Sequence, residues 1–271
     1  MSTDPISPGG RFVAVLFALV CLVVTRVPSP VGAAQDDVGS VPDPADVPTQ
    51  DVFAGGDPRK RYFLMGPSDL AAVPEAGLRL LLVLPGGSGG ADFKPFVKRI
   101  YSNAVPDGYL VAQLVAPKWS PDQAQPIVWP TKKSPWPQAK FATEQFVDAV
   151  IDDISKRYRI DPRYVFTLSW SSGGPAAYAA SLDQDTRVRG SLVAMSVFKA
   201  AQLPTLERAA GRKYYILHSP QDFIPMRFPE AARDQLAAHG ATTKLVTYEG
   251  GHGWHGDVFG HIRKGIEWMQ E

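Results

Sequence analysis

The stretch "SWSSGG", Ser169 to Gly174, sets two serines side by side, with a tryptophan before them and paired glycines after. A strand-like run, Tyr164 to Leu168, precedes it, and the small-residue helical run "PAAYAASL" follows. Strand, sharp turn and helix in that order can lift one side chain above a sheet edge and present it as a nucleophile. The turn needs small residues two before and two after that side chain, where backbones crowd. Ser169 and Gly173 fill those places if Ser171 is central, whereas Ser172 as centre would put Trp170 in one of them. Ser171 is therefore the expected nucleophile, and the backbone N–H of Ser172 stands ready at the helix start. The rival reading is a plain serine-glycine helix cap.

A hydroxyl attacks a carbonyl only when a base takes its proton, and a histidine base needs a carboxylate to orient it. The chain has 5 histidines. His252 lies just past a strand-like run in the glycine-flanked loop "YEGGHGWHGD", where a base can reach over strand ends; His255 is the reserve. His218 ends a strand, His239 ends a helix before Gly240, and His261 falls inside the last helical run, all ordinary structural positions. Asp222, in "YYILHSPQDFIP", follows another strand and is the expected carboxylate. Ser171, Asp222 and His252 then come in the chain order expected when loops on successive strands of one sheet supply them. The glycine-rich "LPGGSGG", Leu84 to Gly90, offers backbone N–H groups of Gly87 or Ser88, alongside Ser172, to a developing oxyanion. It lacks the GK[ST] ending and the spacing of a phosphate loop. "HGWHGD" raises a rival metal hydrolase with His255 and Asp257 beside His252, but no HExxH occurs and the serine turn would go unexplained. The expectation is no metal.

These residues require strands that end together. "RYFLMGP" from Arg61, "LRLLLVLP" from Leu78, "YLVAQLVAP" from Tyr109, "YVFTLS", "GSLVAMS", "KYYILHS" and "TKLVTYEG" read as strands. "KPFVKRIYS", "AKFATEQFVDAVIDDISKRYRI", "PEAARDQLAAHG" and "GDVFGHIRKGIEWMQ" read as helices between and after them. The alternation implies an α/β domain with a mostly parallel sheet covered on both faces, over residues 60–271. Lys118 to Gln138 is proline-rich and irregular. Its Trp119, Trp129 and Trp136, together with Phe223 and Trp254, are candidates for a substrate cleft or for scaffold.

Four stretches resemble the α/β-hydrolase superfamily, in particular its secreted esterases: polyhydroxybutyrate-depolymerase-like enzymes, feruloyl and acetyl-xylan esterases, and the phospholipase/carboxylesterase group. They are "LVLPGGSGG" for the oxyanion loop, "SWSSGG" for the elbow, "HSPQDFIP" for the acid and "YEGGHGW" for the base. The resemblance runs from about Leu78 to the end. It implies the α/β-hydrolase fold, a triad of Ser171, Asp222 and His252, and hydrolysis of small or polymer-linked carboxylic esters through an acyl-enzyme without a cofactor. Departures are Gly86 where the oxyanion loop often has histidine, Ser169 where the elbow has glycine, and Ser219 where glycine commonly follows the histidine of the acid loop. A small serine peptidase and a non-catalytic binding protein of the same fold are the alternatives.

The 271 residues carry a formal net charge of +1, with 45% hydrophobic and 20% charged residues. Nothing in that balance points to nucleic acid, and no obligate protein partner is implied. The N-terminal run Phe12 to Val24 after Arg11 has the form of a secretory signal, with cleavage expected after Ala34 and an uncleaved anchor or a lipid on Cys21 as rivals. The expected localisation is secreted or periplasmic, or membrane-anchored through that run. Residues 35–59 read as a flexible linker. Cys21 is the only cysteine, so a mature chain would hold no disulfide and no thiolate site.

Overall fold

A computed structural model describes residues 47–66, 75–123 and 127–271, all within one compact unit. The strands are β1 (Thr49–Phe53), β2 (Arg61–Met65), β3 (Leu78–Leu84), β4 (Tyr109–Leu114), β5 (Ile160–Trp170), β6 (Gly190–Ala194), β7 (Lys213–His218) and β8 (Thr242–Thr247). The helices are α1 (Lys94–Ala104), α2 (Thr143–Ser155), α3 (Gly174–Ser181), α4 (Arg227–Ala238) and α5 (Val258–Gln270). One 8-stranded sheet runs in the order β1-β2-β4-β3-β5-β6-β7-β8. β2 pairs antiparallel with β1 and β4, and every pairing from β4 to β8 is parallel. This is the α/β-hydrolase fold.

Parallel strands need crossovers, and the crossover helices cover both faces. Side chains alternate along a strand, so Leu81 and Val83 of β3 pack with Val97 and Ile100 of α1 and Ile262 and Ile266 of α5. Leu80, Leu82 and Leu84 turn the other way, onto Phe146, Val150 and Ile154 of α2 and Ala176 and Ala180 of α3. Burial on both faces explains why β3 reads as an almost unbroken leucine run. A third cluster seats Ala232 and Leu236 of α4 against Tyr214 and Ile216 of β7.

The sheet begins earlier than the expected domain start at residue 60. β1 lies inside the expected linker 35–59 and pairs with β2 from Thr49↔Met65 to Phe53↔Arg61. Its half-exposed "TQDVF" is an edge strand without an apolar run, so periodicity did not reveal it. The remainder of that linker before Val47, the signal-like segment 1–34 and Cys21 lie outside the described residues. Membrane anchorage also needs correcting. Among the described residues no helix is long and apolar enough to cross a membrane, and the run Phe12 to Val24 that motivated the expectation lies outside them.

Because β3, β5, β7 and β8 are parallel, their C-terminal ends gather on one edge. The segments that leave those ends are the glycine loop, the serine turn, the aspartate loop and the histidine loop. Ligands bind on this edge in open α/β sheets.

Candidate active site

At the end of β5, Ser171 has φ +50°, the left-handed region a serine enters only where its surroundings force it. The cause is close packing. Ser169, wholly buried, sits beside Leu84 of β3. A Cβ on Gly173 would lie 2.2 Å from the Leu84 carbonyl oxygen, so only glycine lets the turn approach β3 this closely. Ser196, just past β6, donates its hydroxyl to the Ser171 carbonyl at 2.6 Å. The chain then enters a short helical turn, Ser171–Gly173, and α3. The Ser172 N–H is left at that N-terminus with no acceptor of its own turn.

Ser171 Oγ lies 3.1 Å from His252 Nε2. His252 Nδ1 lies 3.0 and 2.9 Å from the carboxylate oxygens of Asp222. The three side chains form a triad-like line. An acceptor-only carboxylate at Nδ1 keeps the ring proton there, which leaves Nε2 as acceptor for the serine hydroxyl. The Asp222 side chain is fully buried and also accepts from the Ile224 N–H at 2.7 Å, which offsets part of its desolvation. The imidazole retains some exposure, as a group that must hand protons to a ligand requires.

The aspartate and histidine loops are shaped by polar contacts. Buried His218 has Nε2 2.8 Å from the Ile224 carbonyl, bracing the loop that carries Asp222. The Tyr248 hydroxyl donates to the Gly253 carbonyl at 2.7 Å, one residue past His252. Burial, and then the Asp222 charge, push the Tyr248 phenol well above its usual range, so it remains a donor.

The glycine loop faces the serine turn. Ser172 Oγ donates to the Gly87 carbonyl at 3.0 Å. Gln113, fully buried in β4, reaches the Gly90 carbonyl at 3.2 Å, and Ala116 N–H meets the Gly89 carbonyl at 2.9 Å. Gly87 and Gly89 have φ of +56° and +64°. Gly87 is thus held against Ser172, the residue after Ser171.

The aromatic candidates separate. Phe223 is 71% exposed, with its ring centroid 4.3 Å from that of His252. Trp129 and Trp254 are buried, in keeping with the scaffold alternative. Trp129 is buried and donates from Nε1 to the Pro85 carbonyl at 2.9 Å, holding the start of the glycine loop. Trp254 is buried between Trp170 and Phe96. Trp119 packs edge-on against Phe141, and Trp136 bonds Ser120, so their contacts lie within their own irregular segment and its neighbour. Asp257 caps α5 by accepting from Gly260 N–H at 3.0 Å. Among the described residues no group of three or more histidine, cysteine, aspartate or glutamate side chains is gathered to hold a metal. Ser196, Tyr248 and Gln113 escape a sequence reading because single hydroxyls and amides inside apolar strands and loops carry no spacing.

Fold and site together define an α/β-hydrolase-fold chain bearing a serine–histidine–aspartate line. No family model matches the sequence, and no curated protein matches it. Solved structures do match in fold. One of two fungal esterases from Rhizomucor miehei superposes with a TM-score of 0.57 at 13% identity, over 83% of this chain and 81% of that one. Thermogutta terrifontis esterase 2, phosphoramylated by tabun, gives 0.58 at 15%, over 85% and 96%. The Francisella virulence factor BioJ gives 0.61 at 13%, over 86% and 87%. At such identities the likeness speaks for the fold.

Proposed function

We propose that the protein is a serine hydrolase that cleaves carboxylic esters through an acyl-enzyme intermediate. The observation that carries this reading is the 3.1 Å approach of Ser171 Oγ to a His252 whose other nitrogen is held by Asp222. His252 Nε2 takes the hydroxyl proton as Ser171 attacks the ester carbonyl. Asp222 orients the ring and stabilises the imidazolium that forms. The tetrahedral oxygen is held by backbone N–H groups of Ser172 and of Gly87 or Ser88. His252 then passes its proton to the leaving alcohol, activates a water, and the acid is released. No step calls for a cofactor.

The exposed ring of Phe223 rests on the imidazole that protonates the alcohol. We assign it to the alcohol side of the substrate, where it favours apolar or aromatic leaving groups. The glycine loop, turn and loop motifs support placement among the polyhydroxybutyrate-depolymerase-like, feruloyl and acetyl-xylan esterases and the phospholipase/carboxylesterase group. The catalytic domain runs from Thr49, where the sheet begins, to the end of the chain. The Thermogutta esterase carries an organophosphorus adduct. The same reagent class tests this chain. A fluorophosphonate should add one mass increment on the peptide holding Ser171, and a panel of acetyl, butyryl, feruloyl and peptide substrates should show ester turnover. An unlabelled, inactive protein at full folded fraction would end the proposal.

A further inference from the structure

The loop that carries His252 is poorly suited to hold it still. Gly250, Gly251 and Gly253 surround the residue, with φ of +131°, +83° and +149°, so its backbone has unusually wide conformational freedom. Yet the imidazole must meet Ser171 and Asp222 at once. Two anchors flank it directly. After His252, Gly253 is held by Tyr248. Before it, the Gly251 N–H donates at 3.0 Å to Ser219 Oγ, a hydroxyl of the aspartate loop. Ser219 is wholly buried.

That hydroxyl has every valence in use. It also accepts from the Gln221 N–H at 3.2 Å and donates to Gln221 Oε1 at 2.7 Å. One donor and two acceptor sites exhaust what a serine can offer. The Gln221 amide, its oxygen taken by Ser219, turns its Nε2 to Glu249 Oε2 in the histidine loop. The directions are consistent around the circuit, because a carboxylate accepts only and the amide nitrogen donates only. The aspartate loop and the histidine loop are thereby joined at two points, Ser219 to Gly251 and Gln221 to Glu249, both just ahead of Asp222 and His252 in their loops.

We propose that Ser219 and Gln221 are positioning residues: a polar clamp that locks the histidine loop to the aspartate loop and so fixes the His252–Asp222 pair for the reaction. The inference rests on the reading of His252 as general base. It assigns a role to the one position of the aspartate loop where this chain departs from the glycine its resemblance leads one to expect, since a glycine at 219 has no side chain with which to hold Gly251. The charged and titratable groups around His252 are Asp222 at its Nδ1, Glu249, His255 and Asp257 in its own loop, and the Tyr248 phenol that holds Gly253.

The test uses the full chain, with Ser219→Ala and the exposed Gln221→Ala as variants. Ester turnover is read as kcat and KM separately, and the His252 Nδ1 proton is followed by NMR. For Ser219→Ala we expect kcat to fall roughly 10- to 100-fold with KM little changed, the effect of a misplaced reacting group. The Nδ1 proton gives a sharp downfield signal only while Asp222 accepts it, so a loosened pair broadens that signal or moves it upfield. Gln221→Ala should change the signal the same way, with kcat down about threefold, since its link to Glu249 is exposed. The clamp is overturned if folded variants keep the wild-type kcat and Nδ1 signal. It is equally overturned if kcat falls only with the folded fraction while the Nδ1 signal stays unchanged. Should Ser219→Ala fail to fold, Gln221→Ala decides by the same readouts. Absence of ester turnover in the wild type would count against the esterase reading, while the Nδ1 signal still decides the clamp.

Discussion

The two halves of the site are held in different ways. The serine side is held by backbone packing: Gly173 presses onto the Leu84 carbonyl, Ser169 is buried against the neighbouring strand, and Ser171 is forced to positive φ. The histidine side is held by side-chain hydrogen bonds reaching into a loop of glycines: Tyr248 to Gly253, Ser219 to Gly251, Asp222 to His252 itself. Close packing leaves no alternative position short of moving β3. Hydrogen-bonded anchors are worth about 1 kcal/mol each and can be removed singly. The nucleophile should therefore tolerate almost no change in its turn, whereas the base should loosen in graded steps.

The largest expected effect is at the attacking group. Ser171→Ala should lower kcat by about 10⁴-fold or more while thermal unfolding stays near wild type, because the hydroxyl contributes little to packing. Steady-state ester hydrolysis beside a melting curve checks both halves of that statement. Asp222→Asn should follow, with kcat down by about 10³- to 10⁴-fold, since the amide favours the wrong imidazole tautomer. Loss of the downfield Nδ1 proton in NMR would accompany it.

Gly173→Ala sharpens the contrast directly. Its Cβ would meet backbone 2.2 Å away, so overpacking should cost roughly 1–3 kcal/mol, toward the upper end, and lower the melting temperature. Tyr248→Phe should do the opposite: a loss near 1 kcal/mol or less in stability, a several-fold drop in kcat, and the serine turn untouched. If Gly173→Ala melted like wild type while Tyr248→Phe unfolded the protein, the assignment of rigid and adjustable halves would be reversed. Phe223→Ala has the smallest expected effect. KM should rise about threefold for aromatic alcohol esters and hardly change for methyl esters, with kcat preserved, as removal of a uniform binding contact predicts.

Much of this architecture is written in local order. The leucine run of β3, the helical spacing of α2 and the strand–turn–helix around Ser171 follow from residues adjacent in the chain, because periodicity and crowding at a turn are short-range effects. The three side chains of the triad-like line were legible for the same reason: each stands in a loop directly after a strand. β1 was not legible, since a short half-exposed edge strand has no apolar pattern to betray it. Nor was the split among the aromatics. Trp129 and Trp254 look like Phe223 on the page, and only packing made two of them scaffold and left the third bare beside His252.

What the chain's order determined by itself is which strands alternate with which helices, where the turns fall and which groups stand at them. What tertiary structure alone decided is whether those groups meet, and which buried hydroxyls and amides hold them there. A hydrogen bond from Gly251 to Ser219 spans 32 residues, and nothing in local sequence encodes an acceptor that only the parallel pairing of β7 with β8 brings within 3.0 Å.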